Sequence, residues 1–257
     1  STGFSDVVAN VGEIQNNGVE ITLNTVNVNK GNFSWSSNFT LTKNKDQVTK
    51  LAGGIIEDIG NLRFVGESVY PLYTRVFDGI WQMEEAEAAK AFGQYPGNIK
   101  IKDLNGDGVI TDMDRTITGK QTPDLLLGLR NNMNYKNFDF SFFLYSRRGL
   151  SYINQFYMGT FGDVASDRYN HATGIDIWTS TNPSNTYYGF NGEGSLGKSA
   201  REALSSQKAD FVRLSDVTLG YKLSGNILDK MNFSNFRVYA QVSNPMVFTN
   251  FLTFNPE

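Results

Sequence analysis

The sequence predicts an all-β fold: a segment of an antiparallel, membrane-spanning β-barrel wall with long loops on one side. Three observations predict it. Apolar and polar residues alternate with period two over runs of about ten residues, the roughly 9–11 that a strand needs to cross a bilayer. The connections between these runs alternate short and long, as in outer-membrane barrels with short inner turns and long outer loops. Aromatic residues make up 13% of the 257 residues, with 19 Phe and 12 Tyr. That abundance suits aromatic belts at a membrane interface. A soluble β-sandwich shares the alternation, so on pattern alone a soluble β domain stays open as the alternative.

The elements follow in order. Val19, Ile21 and Leu23 alternate with Glu20, Thr22 and Asn24. Asn29-Lys30-Gly31-Asn32 is a turn, and Phe33, Trp35, Ser37, Phe39 and Leu41 then alternate with Ser34, Ser36, Asn38 and Thr40. This is a hairpin with strands near 17–28 and 32–43. Two less regular strands are expected near 54–65 and 73–82. Residues 84–92 (EEAEAAKAF) read as a short helix stopped near Gly93 and Pro96. A second hairpin occupies 124–135 and 138–148, turning at Tyr135-Lys136-Asn137, with Phe138, Phe140, Phe142 and Leu144 on one face. Residues 149–209 read as one long connection, far beyond the usual loop length, which points to function or to hidden structure. A third hairpin takes 210–222 and 235–246. That makes about eight strands, with outer loops near 83–123 and 149–209.

On this reading Phe33, Trp35, Leu125, Leu127, Phe140 and Phe142 face the bilayer. Trp35, Tyr135, Phe138 and Tyr221 lie near the short-turn ends and form an aromatic belt.

Composition excludes several classes. Charged residues are 19% with formal net charge −3 and no basic run, so nothing suggests nucleic acid. There is no Cys, hence no disulfide framework and no thiol chemistry. No apolar run approaches 18 residues, and mean hydropathy is −0.34. Those values rule out a helical membrane protein and leave a barrel, whose strands are half polar. The first residues, Ser1-Thr2-Gly3-Phe4, lack the charged and apolar regions of a signal peptide.

The sharpest motif is Asp103-Leu104-Asn105-Gly106-Asp107-Gly108-Val109-Ile110-Thr111-Asp112-Met113-Asp114. Oxygen donors fall at loop positions 1, 3, 5, 9 and 12 (Asp103, Asn105, Asp107, Thr111, Asp114). Gly108 holds the sharp turn at position 6, and Val109 offers its carbonyl at position 7. This is the order of hard-oxygen ligands in an EF-hand Ca²⁺ loop. Position 12 is Asp rather than Glu, which weakens bidentate ligation and leaves Mg²⁺ as the alternative ion. No amphipathic helix pair flanks the loop. The motif therefore reads as a structural clamp in a long loop, not as a sensor that opens and closes.

Other chemistry is thin. The lone His171 has no Cys or second His beside it. Asp112 reads as a solvated carboxylate, and Glu84, Glu85 and Glu87 as first-turn acids favoured by the helix dipole. Gly192-Glu193-Gly194-Ser195-Leu196-Gly197 has nucleotide-fingerprint spacing without the strand–helix unit that would give it meaning. No convergent acid, base and nucleophile exist, so the chain does not read as an enzyme. Tyr187, Tyr188 and Phe190 either stack on sugar rings or anchor their loop.

Several runs, in order along nearly the whole chain, resemble the SusC/RagA family of TonB-linked outer-membrane transporters. They are Asn16 to Leu23 (NNGVEITL), Trp35 to Asn44 (WSSNFTLTKN), Gly79-Ile80-Trp81, Pro96 to Asp114, Phe138 to Leu144 (FDFSFFL), Ile177-Trp178 with Asn182-Pro183, Asp210 to Tyr221 (DFVRLSDVTLGY), Arg237 to Asn244 (RVYAQVSN) and Phe254-Asn255-Pro256-Glu257. The resemblance implies the C-terminal part of a 22-stranded barrel in the cell outer membrane. The N-terminal plug, the TonB-contacting segment and the terminal strand would lie outside this chain. It further implies a SusD-like lipoprotein partner and TonB-energised import of glycans or peptides. The alternative is a soluble, Ca²⁺-braced β-sandwich carbohydrate-binding module.

Overall fold

The computed structural model describes residues 12–155, 176–190, 192–223 and 235–252. In chain order the strands are β1 (Gly12–Lys30), β2 (Phe33–Leu51), β3 (Glu57–Asp58), β4 (Arg63–Phe64), β5 (Pro71–Arg75), β6 (Phe77–Ile80), β7 (Ile99–Ile101), β8 (Arg115–Lys120), β9 (Leu125–Tyr135), β10 (Phe138–Arg148), β11 (Ser151–Ile153), β12 (Ser206–Lys208), β13 (Phe211–Lys222) and β14 (Arg237–Thr249). Two helices, α1 (Ala86–Ala91) and α2 (Lys198–Ser205), lie in the loops.

One antiparallel six-stranded sheet, ordered β1-β2-β9-β10-β13-β14, forms the wall. β9 and β10 run 11 residues each. At about 3.4 Å per residue and a tilt near 45°, such a strand covers about 26 Å of bilayer. The three short connections, at 31–32, 136–137 and 223–236, share one end. The two long ones, 52–124 and 149–210, share the other.

The register sorts the side chains by face. One transverse row is Trp35, Met133, Phe140, Leu219 and Ala240. The next on that face is Ser37, Asn131, Phe142, Val217 and Val242. After it comes Phe39, Leu129, Leu144, Leu214 and Met246. Between them, on the opposite face, runs Ser36, Asn132, Ser141, Thr218 and Gln241. The apolar face is bare: Leu219 is 52% exposed and Val242 54%. No second sheet covers it among the described residues, and covering would be the defining feature of a sandwich. Phe33, Leu125 and Leu127 lie on this same face, as the alternation predicts.

The apolar face also carries polar groups that satisfy one another. Asn131 Oδ1 accepts from Trp35 Nε1 at 2.9 Å and from Ser37 Oγ at 2.6 Å. Asn27, the extra residue where the register shifts between Val26 and Val28, donates to Ser37 Oγ at 2.7 Å. Closure of this kind is what hydrocarbon demands of any polar atom it contacts. At the short-turn end Phe33, Tyr135, Phe138 and Tyr221 share a row, and the Phe138 and Tyr221 rings lie 4.7 Å apart.

The expected strands near 54–65 and 73–82 are not part of the wall. They resolve into β3 to β6, short pairs within the long loop. Their apolar residues lack sustained alternation; Gly53, Gly54 and Gly66, with φ of +71° to +95°, turn the chain, and Gly79, at +110°, sits at the register shift within β6. β1 and β2 are instead longer than expected, 19 residues each. Residues 149–209 are likewise not one irregular connection. They contain β11, β12 and α2, whose Ala200 and Ala203 are buried.

Candidate functional site

Above the wall, the two long loops fold together. Ile80, Ile99 and Ile101 of the first loop pack with Trp178, Tyr188, Ala200 and Ala203 of the second in one buried cluster. Trp178 is the keystone. Its Nε1 donates to Gln82 Oε1 at 2.9 Å, and its ring lies flat against Gly97 and Gly189. Backbone bonds stitch the same seam: Gly189 N to Gly97 O at 2.9 Å and Ile99 N to Gly192 O at 2.7 Å. The base of the first loop is clasped by Asp46 on β2, which accepts from Ser68 Oγ at 2.6 Å, Val69 N at 2.7 Å and Thr122 Oγ1 at 2.9 Å. Burial pushes the Asp46 carboxyl up, but these three donors outweigh it and hold it below the usual carboxylate range.

The candidate cation loop, 103–114, joins β7 in the buried cluster to β8, which pairs with β5 and leads into β9 of the wall. Gly108 takes φ of +81°, the left-handed turn expected of it, and Gly106 takes +76° as well. Asp103 accepts from Gly106 N at 2.7 Å and Gly108 N at 2.8 Å. Asp107 accepts from Val109 N at 2.9 Å and Asn105 Nδ2 at 2.8 Å. Asp114 is 0% exposed and closes the loop on itself, taking Leu104 N at 2.9 Å and Thr111 N at 2.7 Å. Burial raises its pKa, yet the N–H groups of Thr111, Leu104 and Asn105, with the charge of Arg75, hold it below the ordinary value. Asp112 is the solvated carboxylate expected, its side chain 84% exposed. Arg75 reaches it at 3.0 Å and also donates to Thr111 O at 3.1 Å, fastening the loop to β5.

This donor set fits a hard cation in its chemistry: carboxylates, a carboxamide, a hydroxyl and a carbonyl, with unused lone pairs on each carboxylate. It is not gathered as a cluster, however. Among the described residues no three Asp, Glu, His or Cys side chains converge for a metal.

The three aromatic candidates separate. Tyr188 is 2% exposed and Tyr187 9%, so of the two alternatives their burial favours anchoring the loop over stacking on sugar rings. Phe190 alone, at 73%, is open to solution. The glycine run at 192–197 precedes α2, but among the described residues no parallel strand leads into it. His171 lies outside the described residues. Sequence reasoning missed α2 and the keystone role of Trp178. The alanine spacing at 200 and 203 was the available signal for the helix, hidden by flanking polar residues.

A six-stranded antiparallel wall, with one bare apolar face, one polar face and both long loops at the same end, is a segment of a membrane β-barrel. No protein-family model matches the chain. Its sequence is 32% identical, over 277 aligned positions, to TonB-dependent receptor P26 of Formosa agariphila, covering 100% of this chain and 27% of that protein. It is 27% identical to TonB-dependent receptor SusC of Bacteroides thetaiotaomicron, covering 100% of this chain and 25% of that one. A chain in the structure of the RagAB peptide transporter superposes with a TM-score of 0.74 at 19% identity, covering 96% of this chain and 27% of that one. That last likeness is one of fold. In sequence the chain is similar to TonB-dependent receptors, SusC among them, and in fold it is similar to a chain of the RagAB transporter. It spans about a quarter of the length of the relatives it matches.

Proposed function

We propose that this chain is wall and outer-loop material of a TonB-dependent importer in the cell outer membrane. The whole receptor would take up oligomeric nutrients, glycans or peptides, with a SusD-like lipoprotein seated on the outer loops. TonB would act through a part of the receptor beyond this segment. The observation that carries the reading is the bare apolar face backed by a polar one, supported by a likeness that runs along the whole of this chain and about a quarter of each named TonB-dependent receptor. These residues make and break no bond; they enclose a path and hold a surface. We further assign Ca²⁺, with Mg²⁺ as the alternative, to Asp103, Asn105, Asp107, Val109, Thr111 and Asp114. The ion would gather donors that hydrogen bonds already orient, and so fix the stretch between the loop layer and the wall.

The test uses the whole receptor, tagged and extracted from its native membrane. A lipid-anchored partner should copurify, and uptake of labelled oligosaccharide or peptide should stop when the receptor or TonB is removed. Recovery of the receptor in the soluble fraction without detergent would contradict the proposal.

A further inference from the structure

The wall's apolar face ends, at the long-loop end, in a row of different character. Lys43, Leu125 and Arg148 occupy it by register. Beside Arg148 a groove of about 320 Å³ opens, lined by Arg148, Lys208, Asp210, Phe248, Thr249 and Asn250. Its floor is apolar and belongs to the bilayer face: Phe248 is 56% exposed and shares a row with Val212. Its rim is cationic. Arg148 spends its Nε–H on Ser146 Oγ at 3.1 Å, and neither Arg148 nor Lys208 forms an ion pair among the described residues. The one carboxylate present, Asp210, is turned to the backbone: its Oδ1 accepts from Gly149 N at 2.7 Å and Leu150 N at 3.4 Å.

A guanidinium and an ammonium that line one groove with an exposed phenyl ring match one class of ligand, an amphiphile with a phosphate on its headgroup and acyl chains beside it. The phosphate takes charge-assisted bonds from the two cations, and the chains lie along Phe248 and the rows beneath it. We propose that this groove is a binding site for a phosphorylated lipid of the outer leaflet. The proposal rests on the bilayer-facing reading of the apolar face. It adds a site that fixes lipid, and with it the height of the barrel, beneath the loop layer.

The test is lipid retention by the whole receptor in detergent, followed by native mass spectrometry. The probes are a phosphorylated lipid A and the same glycolipid with its phosphates removed. Wild type should retain the phosphorylated form preferentially. Arg148→Gln and Lys208→Gln should each cut that preference about fivefold, since a basic residue near a membrane surface contributes about a factor of five. Arg148→Lys should keep most of it, and Lys30→Gln, at the other end of the wall, should leave it unchanged. Equal retention of both glycolipids by wild type would overturn the site while leaving the bilayer-facing reading in place. So would displacement of the lipid by an equal concentration of inorganic phosphate, or a double Gln variant that keeps the full preference.

Discussion

Gly97→Ala should uncouple the two long loops. Gly97 has φ +90°, and a Cβ there would sit 2.5 Å from Trp178 Cε3 and 2.6 Å from Cζ3. Neither partner can give way cheaply. The Gly97 backbone is pinned on both sides, by its own N–H to Trp81 O at 2.7 Å and by Gly189 N to its carbonyl at 2.9 Å. The Trp178 ring is held in the Ile80, Ile99 and Tyr188 cluster and by its bond to Gln82. Backbone strain of about 1–3 kcal/mol and overpacking of about 1–3 kcal/mol together give about 2–6 kcal/mol against the loop layer. Gly93→Ala is the matched control: its φ is +67° and nothing lies within 4 Å of the new Cβ. It should carry the strain alone. Amide hydrogen exchange of the whole receptor reads the difference. Amides of 77–101 and 176–190 should exchange together, at least about fivefold faster than in the Gly93 variant. If the two variants behave alike, or only one loop loosens, the shared core argued for Trp178 is wrong.

Three further outcomes are expected. Asn131→Leu strands Trp35 Nε1 and Ser37 Oγ on the bilayer face. It should cost about 1–3 kcal/mol in urea unfolding from vesicles, recovered largely by adding Trp35→Phe and Ser37→Ala. Asp46 has its pKa lowered in the fold, so its contribution is complete above the unfolded carboxylate value near pH 4 and is lost as pH falls through the lower folded value. Protease cutting within 52–124 should therefore rise steeply in that acidic window for wild type, and Asp46→Asn should show loosening at neutral pH without that step. Asp103→Ala with Asp107→Ala should abolish Ca²⁺ binding by calorimetry and expose 103–114 to protease, and a chelator should do the same to wild type. A chelator-insensitive loop would leave Asp114 and its backbone bonds as the whole clamp.

How much of this was legible depends on the distance over which each signal acts. The wall strands were readable because a sheet with one apolar and one polar face imposes alternation residue by residue, as in Phe138 to Leu144. The sharp turn in the 103–114 loop was readable because Gly108 serves a local backbone need. The loop layer was not. Ile55, Ile56 and Ile59 look like strand residues, yet they sit exposed between short pairings that tertiary contacts set. Tyr187 and Tyr188 look like open aromatics in a polar loop. Their burial depends on Ile80, Ile99 and α2, far away in sequence. No local pattern carries that information.

The claim beneath the whole account is which side of the sheet meets lipid. The segment has no cysteine, so single Cys substitutions at 216, 217, 218 and 219 in a cysteine-free receptor can each carry a spin label in a reconstituted bilayer. Val217 and Leu219 positions should relax faster with oxygen, and Asp216 and Thr218 positions with a water-soluble nickel chelate, in strict alternation. Nickel access at all four positions, or oxygen access at Thr218 rather than Leu219, would contradict it.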